Sequence, residues 1–348
     1  MERAGGLMFF DGHNDALSRL WDAGGDPVAL FGQVVGHVNV PQCAAGGIKG
    51  GFFAIYSPAG RRGAFDLPPA TAFIPLPPPL DPGAASRSAF GQVGIAHALQ
   101  RAGQIRIVTT PDALTEAWEG APIACILHLE GAECIDRDLY ALEALHAAGL
   151  RSLGPVWSRP SIWGHGVPFA YPQDPDTDPG LTEDGKRLAR RCTELGIILD
   201  VSHLTLKGFE DIAALGKPVV ATHSNAWSVC PSARNLTDDQ LRVIAQSGGV
   251  AGLNFEPSFT SEAGWRTRQS TLADCIAQLS YMIDIMGEDH VVLGSDFDGA
   301  DTPVGIASAA DLPALAEAMR GAGFGEALVD KITHKTWLRV LAQHLEDT

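Results

Sequence analysis

Eight short apolar runs, each stopping at a polar cluster, constrain this chain more than any other feature. They are LMFF (7–10), GGFFAIY (50–56), PIACILHLE (122–130), LRSLGPVW (150–157), GIILDVSH (196–203), KPVVATHS (217–224), GVAGLNFE (249–256) and HVVLGSDF (290–297). None alternates polar and apolar residues as a half-exposed strand does, so each reads as a strand covered on both faces of a parallel sheet. Amphipathic segments such as EDGKRLARRCTELG (183–196) and TLADCIAQLSYMIDIMG (271–287) lie between them. Eight strand–helix alternations predict an α/β fold of the (β/α)8 TIM-barrel type. Doubly wound sheets alternate too, so the count favours the barrel without excluding that rival.

Two stretches interrupt the rhythm. The Pro-rich SPAGRRGAFDLPPATAFIPLPPPLDPG (57–83) predicts a long loop after the second strand, and SRPSIWGHGVPFAYPQDPDTDPGLT (158–182) another after the fourth. Alternation resumes after each. The 348 residues are therefore expected to form one domain, 1–348, rather than two.

Charge and cysteine usage limit what the chain can do. Its 41 acidic and 25 basic residues give a formal charge of −16, a field that repels phosphate backbones and argues against nucleic acid as a partner. No run approaches the ~18 apolar residues of a membrane span, and MERAGGLMFF lacks the pattern of a secretory signal. Six cysteines without a C-x-x-C pair read as free thiols of a cytoplasmic protein.

The chemistry collects where the strands exit. His13 and Asp15, two apart, can converge on one spot. Glu130, His203, His223 and Asp296 fall at the ends of the third, fifth, sixth and eighth runs. In a barrel these ends share one face, the one that carries active sites. Imidazoles and carboxylates together suit Zn²⁺, with Mn²⁺ or Co²⁺ as alternatives. H-x-D alone is a weak signal; recurrence at the same point of five of the eight units gives it weight. His97, His128, His146, His334 and His344 are expected only to pack or face solvent, and His37 and His165 to sit in loops. Asp11 is expected to pack or hydrogen-bond a neighbouring strand end.

The segments DGHNDAL, LEGAECI, DVSHLT, THSNAWSVCPSARNLTDDQL and LGSDFDG, in this order from residue 11 to about 299, resemble the membrane (renal) dipeptidase family of zinc peptidases, amidohydrolase-like barrels. The resemblance implies two zinc ions per subunit, the first on His13 and Asp15, the second on His203 and His223, with Glu130 bridging. It implies that Arg234 holds a substrate carboxylate and that Asp296 handles the proton. The implied activity is hydrolysis of dipeptides, or of closely related N-acyl amino acids, by hydroxide on the binuclear centre. These roles make physical sense: paired dications acidify water and polarise a carbonyl, and a guanidinium fork matches a carboxylate.

One departure stands out. Where the family's animal members carry a substrate-contacting His after the fourth strand, this chain has Trp157; Arg159 and His165 are candidates to replace it. The cysteines of secreted relatives find no clear partner set here, and no lipid-anchor tail is visible. The rival readings are another amide, lactone or phosphoester hydrolase on the same barrel, and a non-catalytic metal-binding barrel, against which Asp296 counts. No feature marks an interface, so a homodimer stays an open expectation.

Overall fold

The computed structural model describes residues 6–57, 73–120 and 122–346. All eight apolar runs contain strands: β1 (Phe9–Asn14), β2 (Ile48–Tyr56), β3 (Ile123–Glu130), β4 (Leu150–Gly154), β5 (Ile198–Leu199), β6 (Val220–Ala221), β7 (Val250–Leu253) and β8 (Val291–Leu293). β1 to β5 pair in sequence order, as do β6 to β8, all in parallel. Parallel bridges Asp200↔Val220 and Asn14↔Phe297 join the two sheets at both edges, which closes the barrel.

Strand parity explains why these runs are largely apolar. Phe10, Phe52, Ala124, Ile126, Val220, Val250 and Val292 pack together in the lumen, closed from the C-terminal helix by Trp337. Their strand neighbours Phe9, Phe53, Cys125, Leu127 and Leu129 belong to the larger core beneath the surrounding helices. The two predicted helices appear as Glu183–Glu194 and Leu272–Met286. Thr182 and Thr271 cap their first turns by accepting main-chain N–H bonds, each worth about 1 kcal/mol.

Three details differ from the sequence pattern. β1 does not end with its apolar half but runs on through Asp11–Asn14. Polar side chains are tolerated there because they find partners: Asp11 accepts from Ser295 N and Oγ at 2.8 Å each, and Asn14 Nδ2 donates to Phe52 O at 3.1 Å. Asp11 thus ties the first strand to the exit of the last. A three-residue strand, Ile105–Ile107, pairs with the start of β3, too short to stand out as an apolar run. The loops after β2 and β4 meet in an antiparallel ribbon, Phe73–Ile74 against Phe169–Ala170. The rest of the Pro-rich stretch, 58–72, lies outside the described residues.

Candidate metal centre

β3 delivers Glu130 to the exit face on the same parity as the lumen residues Ala124 and Ile126. His13 reaches it differently. Asp11 pairs with Gly51 and Asn14 with Phe53, so three residues of β1 advance against two of β2. The irregularity re-aims the side chain between them, as bulges beside active sites do. The two elements bring His13 Nε2 to 3.7 Å from Glu130 Oε1 and 3.7 Å from Asp15 Oδ2. β5 and β6 add His203 Nε2 and His223 Nε2, 3.1 and 3.4 Å from the same Glu130 oxygen. Asp296 joins His13 and His223 with ligand atoms all within 4.8 Å. His203 and Asp296 hold positive φ of 69° and 62°, uncommon for non-glycine residues and concentrated at functional sites.

A second layer fixes the imidazoles. Thr222 Oγ1 donates to Asp200 Oδ2 at 2.6 Å, so toward His223 Nδ1, at 2.7 Å, it acts as acceptor. That places the ring hydrogen on Nδ1 and leaves the Nε2 lone pair facing the cluster. Ser158 Oγ stands 2.8 Å from His203 Nδ1 in the equivalent place. Asn254, at the exit of β7, donates to Asp296 Oδ2 at 2.9 Å. His128 does more than pack: its ring lies edge-on to His13 at 5.3 Å and its Nε2 is 3.6 Å from Asp200. The sequence pattern missed Ser158, Asp200, Thr222 and Asn254, although Asp200 and Asn254 also follow the last apolar positions of their strands.

This donor set fits a cation. His203 Nε2 and His223 Nε2 face each other at 3.3 Å, and both His13 nitrogens are buried without a hydrogen-bond partner. Burial pushes Glu130 up to about 8 and raises Asp296. It holds His203 and His223 well below the usual imidazole range, helped by the charge of Arg234 for both. His13 goes the other way, to about 10: burial opposes its charge, but Glu130, Asp15 and Asp296 outweigh it. Converging lone pairs and carboxylates repel one another in a dry site, and a divalent cation relieves that repulsion.

Arg234 is no surface arginine. It is buried, donates from Nη1 to Ser224 Oγ at 2.7 Å and from Nη2 to His223 O at 3.0 Å. Its Nε lacks a partner, and among the described residues no carboxylate pairs with it. Trp157 packs in an aromatic wall at the barrel mouth, 5.8 Å from the His203 ring and 5.5 Å from Phe169. Arg159 is buried behind that wall against Glu133 and Tyr56. His165 is half-buried in a short bridge with Pro160, and no hydrogen bond, ion pair or ring contact joins its imidazole to the cluster.

A closed parallel barrel whose strand exits gather buried imidazoles and carboxylates at one point defines a (β/α)8 barrel with a candidate metal centre, the kind of site that metal-dependent hydrolases carry. Comparison with known proteins narrows the class. The signature of the membrane dipeptidase family (peptidase family M19) matches residues 5–347, and the chain belongs to that family. A metallo peptidase from Rhodobacter sphaeroides, liganded with a phosphinate mimic of the dipeptide L-Ala-D-Ala, is 44% identical with a TM-score of 0.91, over 99% of this chain and 100% of that one. Dipeptidase AC is 44% identical with a TM-score of 0.90, over 98% of each chain. A Klebsiella pneumoniae protein encoded in the 5′ region of pqqA is 42% identical over 248 residues, 71% of this chain and 90% of its own length. The protein is accordingly a metallo-dipeptidase. Among the described residues, no helix is long and apolar enough to cross a membrane.

Proposed function

We propose that His13 and Asp15 hold one zinc ion, His203 and His223 a second, and Glu130 bridges them, with dipeptides bearing a free C-terminal carboxylate as substrates. The observation that carries this reading is the convergence on one Glu130 oxygen of three imidazole nitrogens, at 3.1, 3.4 and 3.7 Å. Bound there, two dications would acidify water and polarise the scissile carbonyl. The chain's own groups do the rest. Asp296, oriented by Asn254, accepts a proton from the attacking water and delivers it to the nitrogen as the C–N bond breaks. Arg234, buried and lacking a carboxylate partner, receives the substrate carboxylate; the dipeptide-mimic ligand of the Rhodobacter sphaeroides neighbour supports that choice. The residues from 1 to 348 are read as one barrel domain. Six cysteines, all free and buried, favour a reducing compartment such as the cytoplasm.

The deciding experiment is a screen of metal-replete protein, loaded separately with Zn²⁺, Mn²⁺ and Co²⁺, against dipeptides with L or D C-terminal residues. Hydrolysis with two metals per chain is expected, and chelation should abolish it. Failure to cleave any dipeptide would overturn the proposal.

A further inference from the structure

Tyr56 ends β2 in register with Glu130 of β3. Paired residues on neighbouring parallel strands project to the same side of the sheet, so the phenol leaves the barrel beside the side chain that enters the metal cluster. Its main chain is clamped beyond the reach of strand pairing. Gln92, fully buried, accepts from Tyr56 N at 3.0 Å and donates to Tyr56 O at 2.6 Å.

Behind the phenol stands Arg159, 1% exposed. Its Nη2 donates to Tyr56 Oη at 3.0 Å, its Nε lies 3.4 Å from Glu133 Oε1, and its guanidinium stacks 4.8 Å from the Trp157 ring. A guanidinium has donors and no acceptor. Tyr56 Oη therefore uses a lone pair toward Arg159, and its own hydrogen must point elsewhere. Among the described residues no group accepts it. A hydroxyl that is polarised by a cation on one side and unfulfilled on the other is well suited to receive developing negative charge.

We propose that Tyr56 is a further catalytic residue of this chain, giving a hydrogen bond to the oxyanion of the tetrahedral intermediate. Arg159, anchored by Glu133, is the positioning residue that turns the hydroxyl toward it. The inference rests on the dipeptidase reading above, and the experiment separates the two.

Wild type, Tyr56→Phe, Arg159→Met, Arg159→Lys and the Phe/Met double variant are assayed on L-Ala-D-Ala. Bound metal, melting temperature and affinity for a dipeptide phosphinate are measured alongside. Tyr56→Phe should lower kcat on the order of 10²-fold, the cost of one lost oxyanion donor, with metal content unchanged and phosphinate affinity reduced in parallel. Arg159→Met should reproduce most of that loss, Arg159→Lys should recover part of it, and the double variant should be no worse than Tyr56→Phe alone. Wild-type turnover with unaltered kcat and phosphinate affinity in Tyr56→Phe would overturn this inference while sparing the dipeptidase reading. So would multiplying losses in the double variant. An inactive wild type would instead overturn the reading on which it rests. Should Arg159→Met fail to fold, Tyr56→Phe decides by itself.

Discussion

Thr222 Oγ1 sits between His223 Nδ1, at 2.7 Å, and Asp200 Oδ2, at 2.6 Å, so a buried carboxylate reaches an imidazole of the Glu130 cluster through one hydroxyl. The arrangement sets the tautomer of His223 and would make its ring a stronger ligand for the proposed metal. Thr222→Val keeps the shape and removes the link. Metal affinity, measured by competition with a chelator, should fall by about 10- to 100-fold. An unchanged affinity would mean that Asp200 and Thr222 serve the barrel alone.

Arg234 offers a test of the free-carboxylate requirement. Its guanidinium is buried against His223 O and Ser224 with no acidic partner among the described residues. Removing a buried charge that binds a charged group costs about 2–5 kcal/mol. Arg234→Met should therefore raise KM for a dipeptide on the order of 10²-fold, and change it far less for the same dipeptide capped as a C-terminal amide. Equal effects on both substrates would show that Arg234 does not meet the carboxylate.

These residues also show how far the sequence could be read. The eight strands were legible because burial on both faces leaves few polar positions before the exit, and the exits that carry His or a carboxylate then stand out. Thr222 and Ser158 were not legible, since a hydroxyl beside a histidine looks like any other loop residue until the fold sets it 2.7 or 2.8 Å from the ring. His128 was misjudged for the opposite reason: its apolar setting in β3 is real, but strand parity turns it into the lumen beneath His13. The polar half of β1 keeps its strand conformation because of partners far away in sequence, such as Ser295, about 280 residues on.

Asp296 is the residue whose loss should separate chemistry from binding. Held by Asn254 Nδ2 at 2.9 Å, it is proposed to carry the proton. General acid–base catalysis contributes typically about 10²–10⁴-fold. Asp296→Asn should lose activity of that order in kcat while keeping the strand-exit fold, and Asn254→Ala should lose a smaller part. A fully active Asp296→Asn variant would assign the proton to another group.

Gly12, between Asp11 and His13, is fixed by space. A Cβ there would stand 2.6 Å from Leu293 O, 2.7 Å from Thr222 O and 2.7 Å from the Trp337 ring. Two of these are main-chain atoms of the barrel and cannot swing aside. Gly12→Ala should destabilise the protein by about 3 kcal/mol, at the upper end for overpacking, and weaken metal binding by displacing His13. A wild-type melting temperature would show that the lumen has more room than the structure gives it.

Glu256 provides a pH signature away from the metal ligands. Burial pushes its carboxyl up to about 7, although Ser258 N and Oγ and Asp301 N donate to it. Its folded-state pKa thus exceeds the ~4.3 of an unfolded chain. Well below pH 4 the group is protonated in both states, and its contribution to stability is fully present. Above about pH 4 the unfolded chain ionises while the folded protein keeps its proton, so the contribution is lost progressively as pH rises to 7, amounting to ~4 kcal/mol by linkage. Glu256→Gln never makes that transition. Its melting temperature relative to wild type should therefore climb between pH 5 and pH 8, whatever offset the lost Asp301 contact adds at all pH values. A difference that stays flat across this range would place the carboxyl at its ordinary pKa.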